Sequence, residues 1–175
     1  MSIQGQINSL RSAGTLHLIP QSWPGLPIRR VFLASESVRS LILGPAWNDQ
    51  KEEDRAYGLR AEIDWFIDGH TIYVRPESED GTKALFARLN PSADEVWTLR
   101  SLKPKPSLRV FGTFADRDVF VALHWAKRTD LGAGDSEEWA DAIGQFKTEW
   151  HNCFFPFNPL HGSYPDAYLS NAKLI

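Results

Sequence analysis

Apolar and polar residues alternate most persistently from Glu95 to Lys127, EVWTLRSLKPKPSLRVFGTFADRDVFVALHWAK, and this stretch predicts three consecutive β-strands. In Glu95–Arg100, Val96 and Thr98 take one face while Trp97 and Leu99 take the other. Pro104 and Pro106 break the pattern, because neither can donate to a ladder. Leu108–Phe114 and Asp118–Ala126 follow, and the connection Ala115-Asp116-Arg117 is short enough to make them an antiparallel pair. Apolar content on both faces gives this pair a central position. Alternation puts Phe120, Ala122, His124 and Ala126 on one face, and Gly112, bare in mid-strand, predicts a bulge or a close neighbour.

The rest of the chain is less regular. Residues 1–14 read as a loose polar arm, Thr15–Ile19 as an edge strand ended by PQSWPGLP, and Arg29–Leu33 as another short strand. Ser35–Leu43 fits either a helix capped by Ser35 or a strand, and WNDQKEEDRAYG is a charged segment, helical in part. In LRAEIDWFIDGHTIYVR, Ile63, Trp65 and Ile67 alternate, Asp68-Gly69 supplies a turn, and Ile72 and Val74 resume the period; this predicts a β-hairpin. KALFARLNP has the spacing of a short helix closed by Asn90-Pro91. Asp135 and Glu138 form a variant capping box for a helix with an apolar stripe of Trp139, Ala142, Ile143, Phe146 and Trp150. The final segment, His151–Ile175, is aromatic and Pro-rich without a period, and reads as an irregular tail wrapped on the body. The fold expected is α+β, a predominantly antiparallel twisted sheet of about five or more strands with the Asp135–Trp150 helix packed on one face. Residues 1–55 form an N-terminal extension packed on a body of residues 56–175.

A length of 175 residues suits one core. The aromatic content, 12% with seven Trp and ten Phe, favours sheets with large cross-strand pairs. A net charge of −3 removes any whole-molecule attraction to nucleic acid, so polyanion binding has to come from a local patch. The single Cys153 excludes an intramolecular disulfide and a multi-Cys zinc site. The N-terminus has no basic and apolar leader and no run of about 18 apolar residues occurs, which points to a cytoplasmic protein with no membrane partner.

Such a patch exists. Leu99 to Arg128 holds seven cations (Arg100, Lys103, Lys105, Arg109, Arg117, Lys127, Arg128) and two anions (Asp116, Asp118), a local +5. Converging cations bind phosphate, although strand ends and loops are also where solvated Lys and Arg collect. His124 among them is a candidate acid–base residue, against the plainer reading of a half-buried histidine bonded to a carbonyl. The other histidines are scattered, with no His-Glu-x-x-His and no i, i+4 pair, so no metal site is expected. No nucleophile elbow or P-loop occurs, and Glu62 with Asp64 reads as the solvent side of a strand. Trp97 or Trp125 is a candidate base-stacking platform.

The stretch from Glu95 to Gly132, followed by an amphipathic helix, resembles the central part of the RelE/HigB-like toxins, particularly their phage-derived Gp49-like branch. The matching positions are Leu99-Arg100, Arg109, and His124 with Lys127-Arg128, and the resemblance covers residues 95–150. It implies a metal-independent, cofactor-free endoribonuclease of a toxin–antitoxin system, acting on RNA or at the ribosome and held by an antitoxin partner. In that reading His124, Arg109 and Lys127 are catalytic, and Arg100, Lys103, Lys105 and Arg128 bind phosphate. Family members are shorter and basic and put a helical hairpin before the meander, whereas this chain is longer and acidic. The alternative is a non-catalytic protein-binding module of phage or mobile-element origin, and a third reading is a small hydrolase using His124 and a carboxylate.

Overall fold

The structure, a computed structural model, describes residues 2–44, 47–75, 84–101, 103–134 and 136–175. Along the chain come α1 (Ile3–Ser12), β1 (His17–Leu18), β2 (Val31–Ala34), α2 (Glu36–Leu43), α3 (Gln50–Ile67), β3 (Ile72–Arg75) and β4 (Phe86–Arg88). Then follow β5 (Trp97–Arg100), β6 (Leu108–Asp116), β7 (Val119–Lys127), α4 (Glu137–Phe154), α5 (Pro165–Tyr168) and β8 (Ala172–Leu174). The strands form one sheet in the order β1-β2-β7-β6-β5-β4-β3-β8.

The sheet is mixed, which corrects the expectation of a predominantly antiparallel one: β2 with β7, β3 with β4 and β3 with β8 run parallel. Local alternation reveals only pairings between strands close in sequence, and parallel neighbours need long crossovers. Helices cover both faces. Val38, Leu41 and Ile42 of α2 and Leu59, Ile63 and Phe66 of α3 pack on Phe32, Leu99, Val110, Phe114 and Phe120. On the opposite face, Ile7 of α1 and Ala142, Phe146, Trp150 and Phe154 of α4 pack with Phe111, Val121 and Leu123. Residue 55 lies inside α3, and β1 and β2 belong to the same sheet as the rest.

Several local expectations are overturned. The supposed hairpin is the end of α3: its buried residues Ala56, Leu59, Arg60, Ile63, Phe66 and Ile67 follow helical spacing over twelve positions, which outweighs a five-residue alternation. Asp49 caps its start by accepting from the Glu52 N–H, and Asp68 is the C-cap with Gly69 beyond it at φ +81°. The Asp-Gly pair is thus a helix stop, a role a left-handed glycine fills as well as a turn. Residues 84–89 are a buried strand region in place of a short helix, since Ala84, Leu85, Phe86, Ala87 and Leu89 are all buried, on both faces as in a covered strand, with Arg88 alone interrupting the apolar run. The N-terminal arm is the helix α1, capped by Ser2. The tail contributes α5 and β8, with Pro165 at the helix start, where its missing N–H is harmless. Ser35 does cap a helix, α2.

The β6–β7 ladder shifts register beside Gly112: Gly112 pairs with Ala122, but Phe111 pairs with His124, which leaves Leu123 as the extra residue. Phe120 and Ala122 therefore face α2 and α3, whereas Leu123 joins the α4 side and His124, opposite Phe111, follows it. The single face drawn through Phe120, Ala122, His124 and Ala126 is broken at this bulge.

One buried ion pair fastens the sequence-remote strands. Arg30, 1% exposed, donates from Nε to Asp118 Oδ1 at 3.3 Å and from its terminal nitrogens to the carbonyls of Phe66 (2.9 Å), His70 (3.1 Å) and Ser170. Asp118 in turn accepts from the Ser170 N–H at 2.8 Å and its hydroxyl at 3.0 Å. The entries to β2, β7 and β8 and the end of α3 thus meet on one guanidinium. Removing one member of a buried pair leaves the other unsatisfied, at roughly 3–5 kcal/mol. Arg30→Met is expected to lower the urea-unfolding free energy by about 3 kcal/mol, and a loss below about 1 kcal/mol contradicts this role for Arg30.

Candidate functional site

Register builds the site. Arg100 of β5 lies directly opposite Arg109 of β6, which lies opposite Ala126 of β7, and Phe111 lies opposite His124. Directly opposed residues share a face, and Phe111 is packed under α4, so Arg100, Arg109 and His124 all belong to the α4 side. Arg109 and Phe111 are one pleat repeat apart, about 7 Å, which sets the spacing between the arginine row and His124. One residue beyond the strands the ladder continues, with the Arg128 N–H donating to the Ser107 carbonyl at 2.8 Å. Arg128 lies over the Trp139 ring of α4 at 5.8 Å and also donates to the Gly132 carbonyl. Arg109 donates to the Ser107 hydroxyl at 3.2 Å and the Leu108 carbonyl at 3.1 Å. Lys105, Ser107, Arg128 and Thr129 line one open cleft at the rim.

His124 is half-buried, with its ring 5.6 Å from that of Phe111, which in turn contacts Trp139 at 5.6 Å. Burial lowers its pKa below the ordinary 6.5, and the charge of Glu149 opposes the shift only in part. Burial thus favours the uncharged imidazole.

The other predicted site residues lie elsewhere. Lys127 pairs with Leu108 on the α2/α3 face, and its Nζ donates to Glu52 Oε1 at 2.8 Å. The Lys127 hydrogen bond, followed by that of the Asn48 N–H, pulls the Glu52 carboxyl down to about 2. Lys103 and Lys105 are exposed on the loop between β5 and β6. That loop lies against α3, where a Cβ at Gly58 would meet the Lys103 carbonyl oxygen at 2.2 Å. Of the seven residues singled out, Arg100, Arg109, Arg128 and His124 share a face, Lys105 is at its rim, Lys103 is on the loop against α3, and Lys127 is on the reverse. Neither tryptophan offers a platform: Trp97 is 2% exposed against Tyr168, and Trp125 packs toward the α2/α3 core with Nε1 donating to the Ser37 hydroxyl at 3.2 Å. Glu62 and Asp64 sit on α3, where Asp64 pairs with Arg60 at 3.1 Å and accepts from the Ser22 N–H.

A second polar cluster was invisible in the sequence. Glu95, 2% exposed and at φ +52°, accepts from the Tyr168 hydroxyl at 2.8 Å and the Trp97 indole at 3.3 Å. It also pairs with Arg88 at 3.4 Å and with Nδ1 of His161 at 2.8 Å. Burial, then the Glu95 carboxylate, pushes the Tyr168 hydroxyl up to about 12. The partners come from β4, β5 and the tail, so this network clasps the C-terminal segment to the sheet. Among the described residues no group of three or more His, Cys, Asp or Glu side chains is arranged to hold a metal ion, and no helix is long and apolar enough to cross a membrane.

Comparison with family models, with characterised proteins and with solved structures found no match to this chain. The Glu52–Lys127 pair tests how the cations divide between the faces. A carboxyl whose folded pKa is depressed stabilises the protein above its ordinary pKa and loses that contribution as pH falls through the folded value. The unfolding free-energy difference between wild type and Lys127→Met is expected to be full above pH 4.5 and to disappear toward about pH 2. A difference that stays constant over this range contradicts the pairing.

Proposed function

We propose that the chain is a toxin-type, metal-independent endoribonuclease that binds the RNA backbone on the α4 side of the β5–β7 ends. The observation that carries this reading is the sharing of one face by the opposed Arg100 and Arg109 and the half-buried His124, with Arg128 at the same end. In the reaction His124 takes the proton of a ribose 2′-hydroxyl, and the 2′-oxygen bonds to phosphorus. The bond from phosphorus to the 5′-oxygen breaks, and that oxygen takes the proton back from the imidazolium, leaving a cyclic phosphate and a 5′-hydroxyl. Arg100, Arg109 and Arg128 stabilise the charge on the pentacovalent phosphate, and Lys105 extends the cationic rim. Lys127 is reassigned from catalysis to the Glu52 pair, and Lys103 to the loop that supports the rim. The partner in this reading is an antitoxin that neutralises the same face.

One observation favours the second reading, a non-catalytic protein-binding module. The loop after β1 exposes Trp23 (70%), Leu26 (47%) and Ile28 (65%). It is nevertheless pinned to α3, with Arg60 Nε donating to the Ser22 hydroxyl at 2.8 Å and Gln21 donating to Asp68 at 2.9 Å. An apolar loop held in place presents contact area at little entropic cost.

Induction in a bacterial host separates the two. The nuclease reading expects growth arrest and cleaved transcripts, relief of both by Arg109→Ala or His124→Ala, and persistent arrest with Lys127→Ala. Normal growth with intact transcripts contradicts it.

A further inference from the structure

At the β1 edge of the sheet, β2 stands between β1 and the strands that carry the proposed RNA face. There, three elements turn donors toward one cleft of about 600 Å³: Asn8, Arg11 and Ser12 from the end of α1, His17 from β1, and Arg39 from α2, against an apolar wall of Leu16. Arg39 and His17 are braced from behind by Glu36, whose carboxylate lies 3.2 Å from the Arg39 guanidinium and 2.9 Å from His17 Nε2 and accepts from the Ser40 hydroxyl at 3.0 Å. Arg11 forms no ion pair among the described residues. Its place in the last turn of α1 suits the helix dipole, but the dipole does not account for Arg39, His17, Asn8 and Ser12 sharing the same space. The arginines and Glu36 leave a formal charge of +1 within a chain of net −3.

We propose that this cleft binds a small phosphate-bearing ligand, with Arg11 and Arg39 on its oxyanion and Asn8 and Ser12 as neutral donors. Two guanidinium groups suit a phosphate because each offers a planar pair of donors at fixed separation. The site is independent of the RNA-cleaving reading, since it shares no residue with it. A phosphate at the end of an oligonucleotide has the same chemistry as one on a free small molecule, and the two sources are told apart by the size of the bound species.

The test is calorimetric titration of the full chain with sodium pyrophosphate, and in parallel with a 5′-phosphorylated oligoribonucleotide. The parent chain, Arg11→Gln, Arg39→Gln and Arg109→Gln are compared after circular dichroism has confirmed their folds. Saturable pyrophosphate binding that weakens about tenfold or more in Arg11→Gln and Arg39→Gln is expected. Pyrophosphate binding stronger than that of the oligonucleotide identifies the free ligand. No heat up to about 10 mM pyrophosphate, equal affinity in Arg11→Gln and the parent, or a loss confined to Arg109→Gln overturns the proposal. Arg11 is exposed, so its variant keeps the test valid if Arg39→Gln fails to fold.

Discussion

A Cβ at position 112 would lie 2.4 Å from the Phe120 ring and 2.5 Å from the Val121 carbonyl oxygen, so β6 and β7 come together there only around a glycine. The ladder changes step at that point and Leu123 is left over. Every side chain of β7 beyond it is set by this single residue of slip, because a one-residue shift moves a strand's side chains to the other face. In an unbroken ladder His124 would lie opposite Val110, beneath α2 and α3, and Lys127 would join Arg109. The bulge reverses both, bringing His124 to the arginines under α4 and sending Lys127 to Glu52.

The bulge acts within a sheet whose remaining strands come from distant parts of the chain. Arg30 and Asp118 join the entries to β2 and β7 and draw in Ser170 ahead of β8, and at the same end of the sheet Glu95 with Arg88, Tyr168 and His161 clasps the tail. Both networks spend their donors inside the protein, as buried ionic groups must. They fasten the opposite end of these strands, where β5 and β7 begin, and contribute no group to the end that carries Arg100 and Arg109. The cations of the α4 face lie instead at the end where β5 and β7 run out, beyond the reach of those carboxylates.

The β5–β7 meander and the irregularity at Gly112 were legible because both are local, written in alternation and in one missing side chain. The edge position of β1 was legible for the same reason. The α3 helix was not, since Ile63, Trp65 and Ile67 alternate by coincidence within a longer helical stripe, and Asp68-Gly69 suits a helix end as well as a hairpin. The parallel pairings escaped notice because β2 and β7, or β3 and β8, share no sequence neighbourhood. For the candidate site, the charge density of the sequence pointed to the strand ends, and Arg100, Arg109 and Arg128 do lie there. The face of each cation depended on a bulge offset that composition does not encode, and the buried roles of Arg30 and Glu95 depended on contacts with segments far along the chain.

The central claim is that one face, at the α4 side of the β5–β7 ends, meets RNA. An NMR titration with a short single-stranded oligoribonucleotide tests it most directly. Binding on this face shifts the signals of Arg100, Arg109, His124 and Arg128 progressively while those of Lys127 and Glu52 stay fixed. Shifts centred on Lys127 and Glu52, or none at millimolar oligonucleotide, would contradict it.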